Sequence, residues 1–320
     1  LALFNRKSSF RIKTSKGRLF GFKRKGRLWR RSPAVIFIHG ITGNAATMFP
    51  MMKALQPKNL DLYCYDLRGR ANSHKPKPNP ENFGVINHAN DLFELMDALE
   101  LEQAQLVGHS YGCWVALYAA LTQPGRIKSI TMLDGGSPES NLHKLRSLMT
   151  VKQSVSRLDK LYASKEEYFR AVGRSGVLNT NLKSVQDILN YELEKAPGKG
   201  YFVSLSNDTV ESELQAIGGS LKALKLGSQL LKKALDKANK IPIAIADYRK
   251  ISCPVMVFRA GKANFKAGDQ FMSMEGAKAL ANLIPHCNVY NNKNINHYEM
   301  LLAHSPAFTE QLNNFLQQNR

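Results

Sequence analysis

One stretch of this sequence decides its fold: Leu106-Val107-Gly108-His109-Ser110-Tyr111-Gly112-Cys113-Trp114-Val115-Ala116-Leu117. A short apolar strand leads into a tight turn, and a helix-like apolar run follows it. The glycines on either side of Ser110 stand where a Cβ would collide with the neighbouring strand and helix. This G-x-S-x-G spacing predicts that Ser110 occupies a strained turn and exposes its hydroxyl in a cleft. The helix N-terminus behind it offers backbone N–H groups to an anion.

Strands and helices alternate on both sides of this turn. Residues 34–38 are apolar throughout, which is typical of a central strand in a parallel sheet. Residues 60–65 and 127–133 indicate further strands, and the apolar positions between 87 and 99 follow helical spacing. The alternation predicts an α/β protein with a doubly wound, mostly parallel sheet. Such sheets build their sites at the carboxyl ends of the strands.

Two loops at that edge carry notable residues. The loop His39-Gly40-Ile41-Thr42-Gly43 follows the first parallel strand, and its glycines allow backbone N–H groups to point into a cleft. The segment Asp66-Leu67-Arg68-Gly69-Arg70-Ala71-Asn72-Ser73 follows the next strand.

Taken together, these three motifs resemble the α/β-hydrolase family. The family has an H-G-x loop, a D-x-R-G-x-x-x-S segment and a G-x-S-x-G turn, all found here within residues 34–137. A serine at the nucleophile position makes the serine esterase and carbon–carbon hydrolase branch the closest. The resemblance implies a core domain formed by residues 1–137 and 251–320. A helical lid would be inserted at 138–250.

The resemblance also implies a catalytic triad in the chain order nucleophile, acid, histidine. Ser110 is the expected nucleophile, and His297 lies where the family keeps its general base, just before a final amphipathic helix. The acid has two candidates. Asp269 is preferred, by counting back from the helix predicted at 274–283, and Asp134 after strand 127–133 is the alternative.

The same resemblance implies the remaining parts of the site. The backbone N–H groups of Ile41 and Tyr111 would form the oxyanion hole. Thr42, Met48 and His109 are expected to contact the substrate. The implied reaction is acyl transfer through an acyl-enzyme, which needs no metal and no organic cofactor.

The charge of the chain is strongly basic and unevenly spread. The formal net charge is +20, and residues 1–31 contain 12 Lys or Arg and no acid. A patch for nucleic acid or for an anionic membrane surface is one interpretation of this arm. A solvated edge hairpin whose charges discourage aggregation is preferred. The arm has no RNP-like aromatics, helix-turn-helix or zinc spacing, so nucleic acid is not an expected partner.

A basic amphipathic stripe lies in the predicted lid, at Leu221, Leu224, Leu231 and Leu235, with lysines around it. Contact with an anionic membrane is one interpretation of the stripe. A lid helix with its apolar face over the pocket is preferred, because amphipathic surface helices are common. The expected partner is a small-molecule ester, and the expected assembly is a monomer or a homodimer.

The cysteines and the first residues bear on the cellular compartment. Cys64, Cys113, Cys253 and Cys287 are scattered beside apolar stretches, which is typical of buried free thiols in a reducing compartment. Residues 1–7 lack a signal peptide's order of charge before apolar core. We therefore expect a cytoplasmic protein.

Three hypotheses about function remain open from the sequence. The first is hydrolysis of a carboxylic ester, lactone or thioester. The second is cleavage of a carbon–carbon bond by the same Ser–His groups. The third is a non-catalytic protein that keeps the fold and binds a ligand in the pocket.

Overall fold

In the computed structural model of the protein, the described residues are 8–26, 32–55, 59–174, 176, 178–198, 200–225, 241–302 and 305–320. The strands in these ranges are β1 (Ser9–Thr14), β2 (Gly17–Arg24), β3 (Ala34–Ile38), β4 (Asp61–Tyr65), β5 (Ala104–His109), β6 (Ile127–Leu133), β7 (Leu193–Lys195), β8 (Tyr201–Val203), β9 (Val255–Ala260) and β10 (Cys287–Asn292). The α-helices are α1 (Phe49–Ala54), α2 (Val85–Ala98), α3 (Tyr111–Thr122), α4 (Asn141–Ser154), α5 (Lys165–Gly173), α6 (Lys183–Glu192), α7 (Asn207–Ala216), α8 (Met274–Leu283) and α9 (Pro306–Gln318).

Eight of these strands form one sheet, in the order β1-β2-β4-β3-β5-β6-β9-β10. The strands from β4 to β10 in this order pair in parallel, whereas β2 is antiparallel to both β1 and β4. The predicted doubly wound and mostly parallel sheet is therefore confirmed. The parallel pairing places the ends of β3, β5, β6 and β9 side by side at one edge.

The two faces of the sheet explain why its central strands are apolar throughout. All five residues of β3 are buried. Ile36 and Ile38 belong to one core cluster, while Val35 and Phe37 belong to the cluster on the opposite face. Since successive side chains of a strand point to opposite faces, a strand covered on both sides needs an apolar residue at each position.

The N-terminal hairpin forms the edge of the sheet, as its alternating pattern indicates. β1 and β2 pair from Ser9–Phe22 to Thr14–Gly17, and β2 continues the sheet by pairing with β4. At the turn, both the backbone N–H and the hydroxyl of Ser15 donate to Glu94 at 2.6 Å. The rest of the basic arm, residues 1–7 and 27–31, lies outside the described residues.

The insert, which we define as residues 138–250, contributes no strand to the large sheet within its described part. It contains α4 to α7 and a separate two-stranded sheet of β7 and β8. Of the predicted leucine stripe, Leu231 and Leu235 lie outside the described residues. The role of the insert as a lid remains a prediction.

The structure also bears on the cysteines and on membrane-spanning helices. The four cysteines are free thiols, and Cys64, Cys113 and Cys253 are buried. Among the described residues, no helix has both the length and the apolar character that crossing a bilayer requires.

We expect the two acidic residues of α2 that pair with arginines to differ sharply in their contribution to stability. Asp91 is buried and accepts two hydrogen bonds from Arg68, at 2.6 and 2.7 Å. Asp91→Asn leaves that guanidinium without its counter-charge and should lower the free energy of unfolding by about 3–5 kcal/mol. Urea denaturation measures this loss.

Asp97 offers a matched control on the same helix. Its carboxylate pairs with Arg126 at 2.8 Å, but the Asp97 side chain is 64% exposed. Water screens such a pair, so Asp97→Asn should cost less than about 1 kcal/mol. Equal losses in the two variants would contradict this account of α2.

Candidate active site

Ser110 occupies a strained turn between β5 and α3. Its backbone angles are φ 54 and ψ −115, a region that non-glycine residues rarely adopt and that costs about 1–3 kcal/mol. Neighbouring chain segments leave no room to relax this turn: a Cβ at Gly112 would meet the Ile38 carbonyl, and one at Gly135 would meet the Ser110 backbone. The Ser110 N–H donates to the Leu133 carbonyl at 2.9 Å, which anchors the turn to β6.

His297 is bound to Asp134 across the edge of the sheet. The distance from His297 Nδ1 to Asp134 Oδ2 is 2.7 Å. Asp134 directly follows β6, and its second oxygen, Oδ1, accepts the Ala260 N–H at 3.0 Å. Its own N–H donates to the Phe258 carbonyl at 2.8 Å. These bonds fix the carboxylate, which in turn orients the imidazole and leaves Nε2 as the nitrogen able to take a proton.

Burial sets the protonation of this pair. Burial lowers the pKa of the His297 imidazole to about 3, so the ring is neutral near pH 7 and can act as a base. For Asp134, burial raises the pKa, and the hydrogen bond from the Ala260 N–H opposes that rise. The bond to the His297 Nδ1–H compensates part of the cost of burying the carboxylate.

Asp269 does not reach His297, so the preferred position for the acid is wrong. Its carboxylate accepts hydrogen bonds from the backbone amides of residues 264–266, at 2.7, 2.7 and 3.1 Å. This closes a loop in which the Asn264 side chain accepts the His297 N–H at 3.2 Å. Asp269 therefore supports the histidine loop, while the alternative, Asp134, contacts the imidazole itself.

The loop after β3 is oriented by His39. The His39 Nδ1–H donates to the Gly40 carbonyl at 2.8 Å, and Nε2 accepts the Leu67 N–H at 3.0 Å. In a trans peptide the N–H points opposite to the preceding carbonyl. Holding the Gly40 carbonyl therefore fixes the direction of the Ile41 N–H. Tyr111 is the first residue of α3, so its N–H has no acceptor within the helix.

Two cavities meet at Ser110. Both are lined by Ile41, Ser110, Val151 and Phe271. We call these cavities the first and the second arm of the cleft. The first arm runs between α3 and the insert and is lined by Trp114, Leu148, Leu214 and Ile217, and also by Glu139 and Lys144. The second arm continues past Thr42, Ala171, Leu178, Ile188, Leu189 and Leu301. Apolar residues of the insert thus face the serine on both sides.

The three residues expected to contact substrate have different positions. Thr42 and His109 line the second arm. The His109 ring lies 4.3 Å from the ring of His297, and its Nε2–H donates to the His297 carbonyl at 3.1 Å. The expectation for Met48 is wrong. Its side chain is fully buried in the core cluster on the sheet face of Val35 and Phe37, and it does not line either cavity.

Several residues near the site were not predicted from the sequence. Phe271 stacks on His297 with 3.9 Å between ring centroids. Arg70, His88 and Glu213 form a fully buried polar cluster beside the turn. Arg70 lies in the segment of residues 66–73 that follows β4 and belongs to the family resemblance. In contrast, no feature of the sequence around Glu213 distinguishes this residue from a surface carboxylate. Within the described ranges, no group of three His, Cys, Asp or Glu side chains is arranged to hold a metal ion.

The sequence matches a known family over most of its length. Residues 33–298 match the family model described as alpha/beta hydrolase fold. The chain is also 25% identical to the 2-(acetamidomethylene)succinate hydrolase of Mesorhizobium japonicum over 227 residues. The aligned region covers 71% of this chain and 70% of that protein.

Other similarities are shorter or purely structural. RutD of Caulobacter segnis, a protein with carbamate hydrolase in its name, is 34% identical over 111 residues; the match spans 34% of this chain and only 41% of that relative. A crystal structure of E-2-(acetamidomethylene)succinate hydrolase superposes with a TM-score of 0.73 and 19% identity, covering 97% of this chain and 98% of the other. The crystal structure of the enol-lactonase from Burkholderia xenovorans superposes with a TM-score of 0.61 and 17% identity, covering 96% of this chain and 99% of the other.

The burial of His39 predicts how stability depends on pH. Burial lowers the pKa of His39 from its model-peptide value of 6.5 to about 3. Below pH 6.5 the unfolded imidazole binds a proton that the folded one does not, so acid favours unfolding. His39→Asn should make the decline of the unfolding free energy between pH 6.5 and 4.5 shallower, by up to about 1.4 kcal/mol per pH unit. Urea denaturation at several pH values tests this, and parallel curves would contradict it.

Proposed function

Because this chain belongs to the α/β-hydrolase fold family, we propose that it is a serine hydrolase that cleaves a small-molecule carboxylic ester, lactone or thioester. The observation that carries the proposal is the 2.7 Å bond between Asp134 and His297, next to a serine on a strained turn. A carboxylate, an imidazole and a serine in this relation are the parts that acyl transfer needs.

The first half of the reaction follows from these positions. Ser110 Oγ attacks the carbonyl carbon, and His297 Nε2 accepts the hydroxyl proton. The Asp134 carboxylate stabilises the imidazolium that forms. The carbonyl oxygen becomes an oxyanion between the N–H groups of Ile41 and Tyr111, a pair of donors worth several kcal/mol in the transition state. His297 then gives its proton to the leaving alcohol or thiol, and the acyl group stays on Ser110.

In the second half, water hydrolyses the acyl-enzyme. His297 removes a proton from the water as the water oxygen attacks the acyl carbon. The second oxyanion collapses, the bond to Ser110 Oγ breaks, and His297 returns the proton to the serine. The acid product and the free enzyme result.

The two arms of the cleft support a substrate with apolar groups on both sides of the scissile bond. Leu148 and Leu214 in the first arm, and Leu178 and Leu189 in the second, all belong to the insert. Apolar walls recognise shape and hydrophobic area more than specific polar groups. We therefore propose an ester whose acyl group occupies one arm and whose leaving group occupies the other.

A second candidate is hydrolysis of a bond other than an ester. One curated relative, similar over 71% of this chain, is a 2-(acetamidomethylene)succinate hydrolase. The same serine, histidine and oxyanion donors also suit carbon–carbon or carbon–nitrogen bonds. Turnover of a dienoic diketone or an enamide, with no turnover of p-nitrophenyl esters, would favour this candidate over the first.

Reaction with a fluorophosphonate probe tests for an activated serine. We expect stoichiometric labelling of the purified protein and loss of labelling in Ser110→Ala and His297→Ala, because the probe reacts only with a serine that a base activates. Mass spectrometry measures the labelled fraction. A folded parent protein that is neither labelled nor active on esters would instead support a ligand-binding role.

The identity of the acid is tested separately. Asp134→Asn should lower kcat on a p-nitrophenyl ester by roughly 10³–10⁴-fold, because the amide no longer favours the Nδ1–H tautomer and the imidazolium. Asp269→Asn is the matched control, and we expect a loss below about tenfold, since this carboxylate bonds only to its own loop. The reverse order of losses would restore Asp269 as the acid.

A further inference from the structure

We propose that Glu213, in helix α7 of the insert, is a positioning residue for the oxyanion hole. Its carboxylate is linked through Tyr111 on one side and Arg70 on the other to the two chain segments that supply the backbone donors. This inference rests on the proposed function, because the oxyanion hole has a role only if the serine forms an acyl-enzyme.

The carboxylate of Glu213 is fully buried, and four donors converge on it. Arg70 Nη1 lies 2.6 Å and His88 Nε2 2.5 Å from Oε1. The Tyr111 hydroxyl lies 2.9 Å and the Gly84 N–H 3.0 Å from Oε2. Burial would raise the pKa of Glu213, but the electrostatic interactions with His88 and Arg70, together with the hydrogen bonds to the carboxylate, outweigh burial and hold this pKa well below its usual range. The group is an ionised carboxylate in the protein interior.

One link runs directly to the nucleophile turn. Tyr111 follows Ser110, and its N–H is one of the two proposed oxyanion donors. Its side chain is buried and donates its hydroxyl hydrogen to Glu213. A residue held at both its backbone and the tip of its side chain has little freedom to rotate, so the bond helps fix where the N–H points.

The other link runs through Arg70 to the loop after β3. The same guanidinium that pairs with Glu213 donates from Nη2 to the Ile41 carbonyl at 2.9 Å. Ile41 therefore has both flanking peptide groups held: His39 fixes the Gly40 carbonyl, and Arg70 fixes the Ile41 carbonyl. The Ile41 N–H lies between these two fixed points.

A second guanidinium holds the next carbonyl of this loop. Arg157 Nη2 donates to the Thr42 carbonyl at 3.2 Å and pairs with Glu192 at 3.0 Å. Two consecutive loop carbonyls thus face guanidiniums, and the insert supplies the carboxylate that neutralises each one. Glu213 differs from Glu192 in that it is linked to both sides of the proposed oxyanion hole, directly through Tyr111 and indirectly through Arg70.

Helix α7 also contacts the space that the substrate would fill. Leu214, next to Glu213 in the chain, and Ile217, directly after the end of α7, line the first arm. Because one helix both lines the arm and holds the donors, a shift of α7 changes both together. The Glu213 side chain itself does not line the arm but bonds to Arg70 and Tyr111, so a change confined to this carboxylate should affect the transition state more than the binding of the ground state.

The test compares Glu213→Gln with Glu211→Gln. Both carboxylates are buried on α7, but Glu211 bonds only within the insert, to Gln215, Ser220 and Leu221. We expect Glu213→Gln to lower kcat on a p-nitrophenyl ester by about 10–100-fold with KM changed less than about threefold. Glu211→Gln should stay within about twofold of the parent. The affinity for a trifluoromethyl ketone, which forms an oxyanion on Ser110, should fall in parallel with kcat.

A readout without turnover separates this inference from the proposed function. Hydrogen–deuterium exchange of peptides covering residues 39–44 should be faster in Glu213→Gln by about tenfold or more, and unchanged in Glu211→Gln. Unchanged exchange and unchanged kcat in a folded Glu213→Gln protein would overturn the inference. A parent protein with neither turnover nor labelling would overturn the proposed function instead, and the exchange result would still report on the linkage.

A smaller change covers the case in which Glu213→Gln does not fold. Tyr111→Phe removes one of the four hydrogen bonds to Glu213 and keeps the ring. We expect a smaller loss of kcat, about 3–10-fold, with KM again little changed. A loss confined to thermal stability, with kcat and ketone affinity equal to those of the parent, would reduce Glu213 to a structural role.

Discussion

The hydrogen bond between Asp134 and His297 is the interaction on which the rest of the site depends. It joins residues 163 positions apart, one on each side of the insert. The sheet makes it possible, because β5, β6, β9 and β10 follow one another in the strand order and are parallel, so their carboxyl ends lie at the same edge. Ser110, Asp134 and His297, which follow β5, β6 and β10, therefore meet at that edge. A change in strand order would separate the three groups whatever their local sequence.

Buried charge is the second constraint on this architecture. Arg68, Arg70 and Arg157 each extend a guanidinium into the interior and each meets a carboxylate there. Removing one partner of such a pair costs several kcal/mol, because the other charge is left without compensation. Glu192 and Glu213 belong to α6 and α7 of the insert. Displacing either helix would therefore leave Arg157 or Arg70 without its carboxylate partner. The insert therefore stabilises the loop after β3, whose carbonyls bind Arg70 and Arg157.

The sequence predicted the features that have local causes and failed for those that depend on contacts between distant segments. The turn at Ser110 and the strand at 34–38 have local causes, namely paired glycines and an unbroken apolar run. The acid was ranked by counting along the chain, and that failed because the loop containing Asp269 closes on its own amides. Met48 failed for a similar reason: its position after the loop said nothing about which sheet face its side chain would join.

By itself, the sequence determined the α/β class, the mostly parallel sheet, the strained serine turn and the choice of His297, just before the last helix, as the expected base. The class and the parallel sheet follow from periodicity and the serine turn from the spacing of its glycines, whereas His297 follows from the resemblance to the family. Only the tertiary structure decided that Asp134 meets His297 and that Glu213 binds Arg70, His88 and Tyr111. Those contacts depend on how distant segments pack. An isolated Asp or Glu in a sequence looks the same whether it will face water or a buried guanidinium.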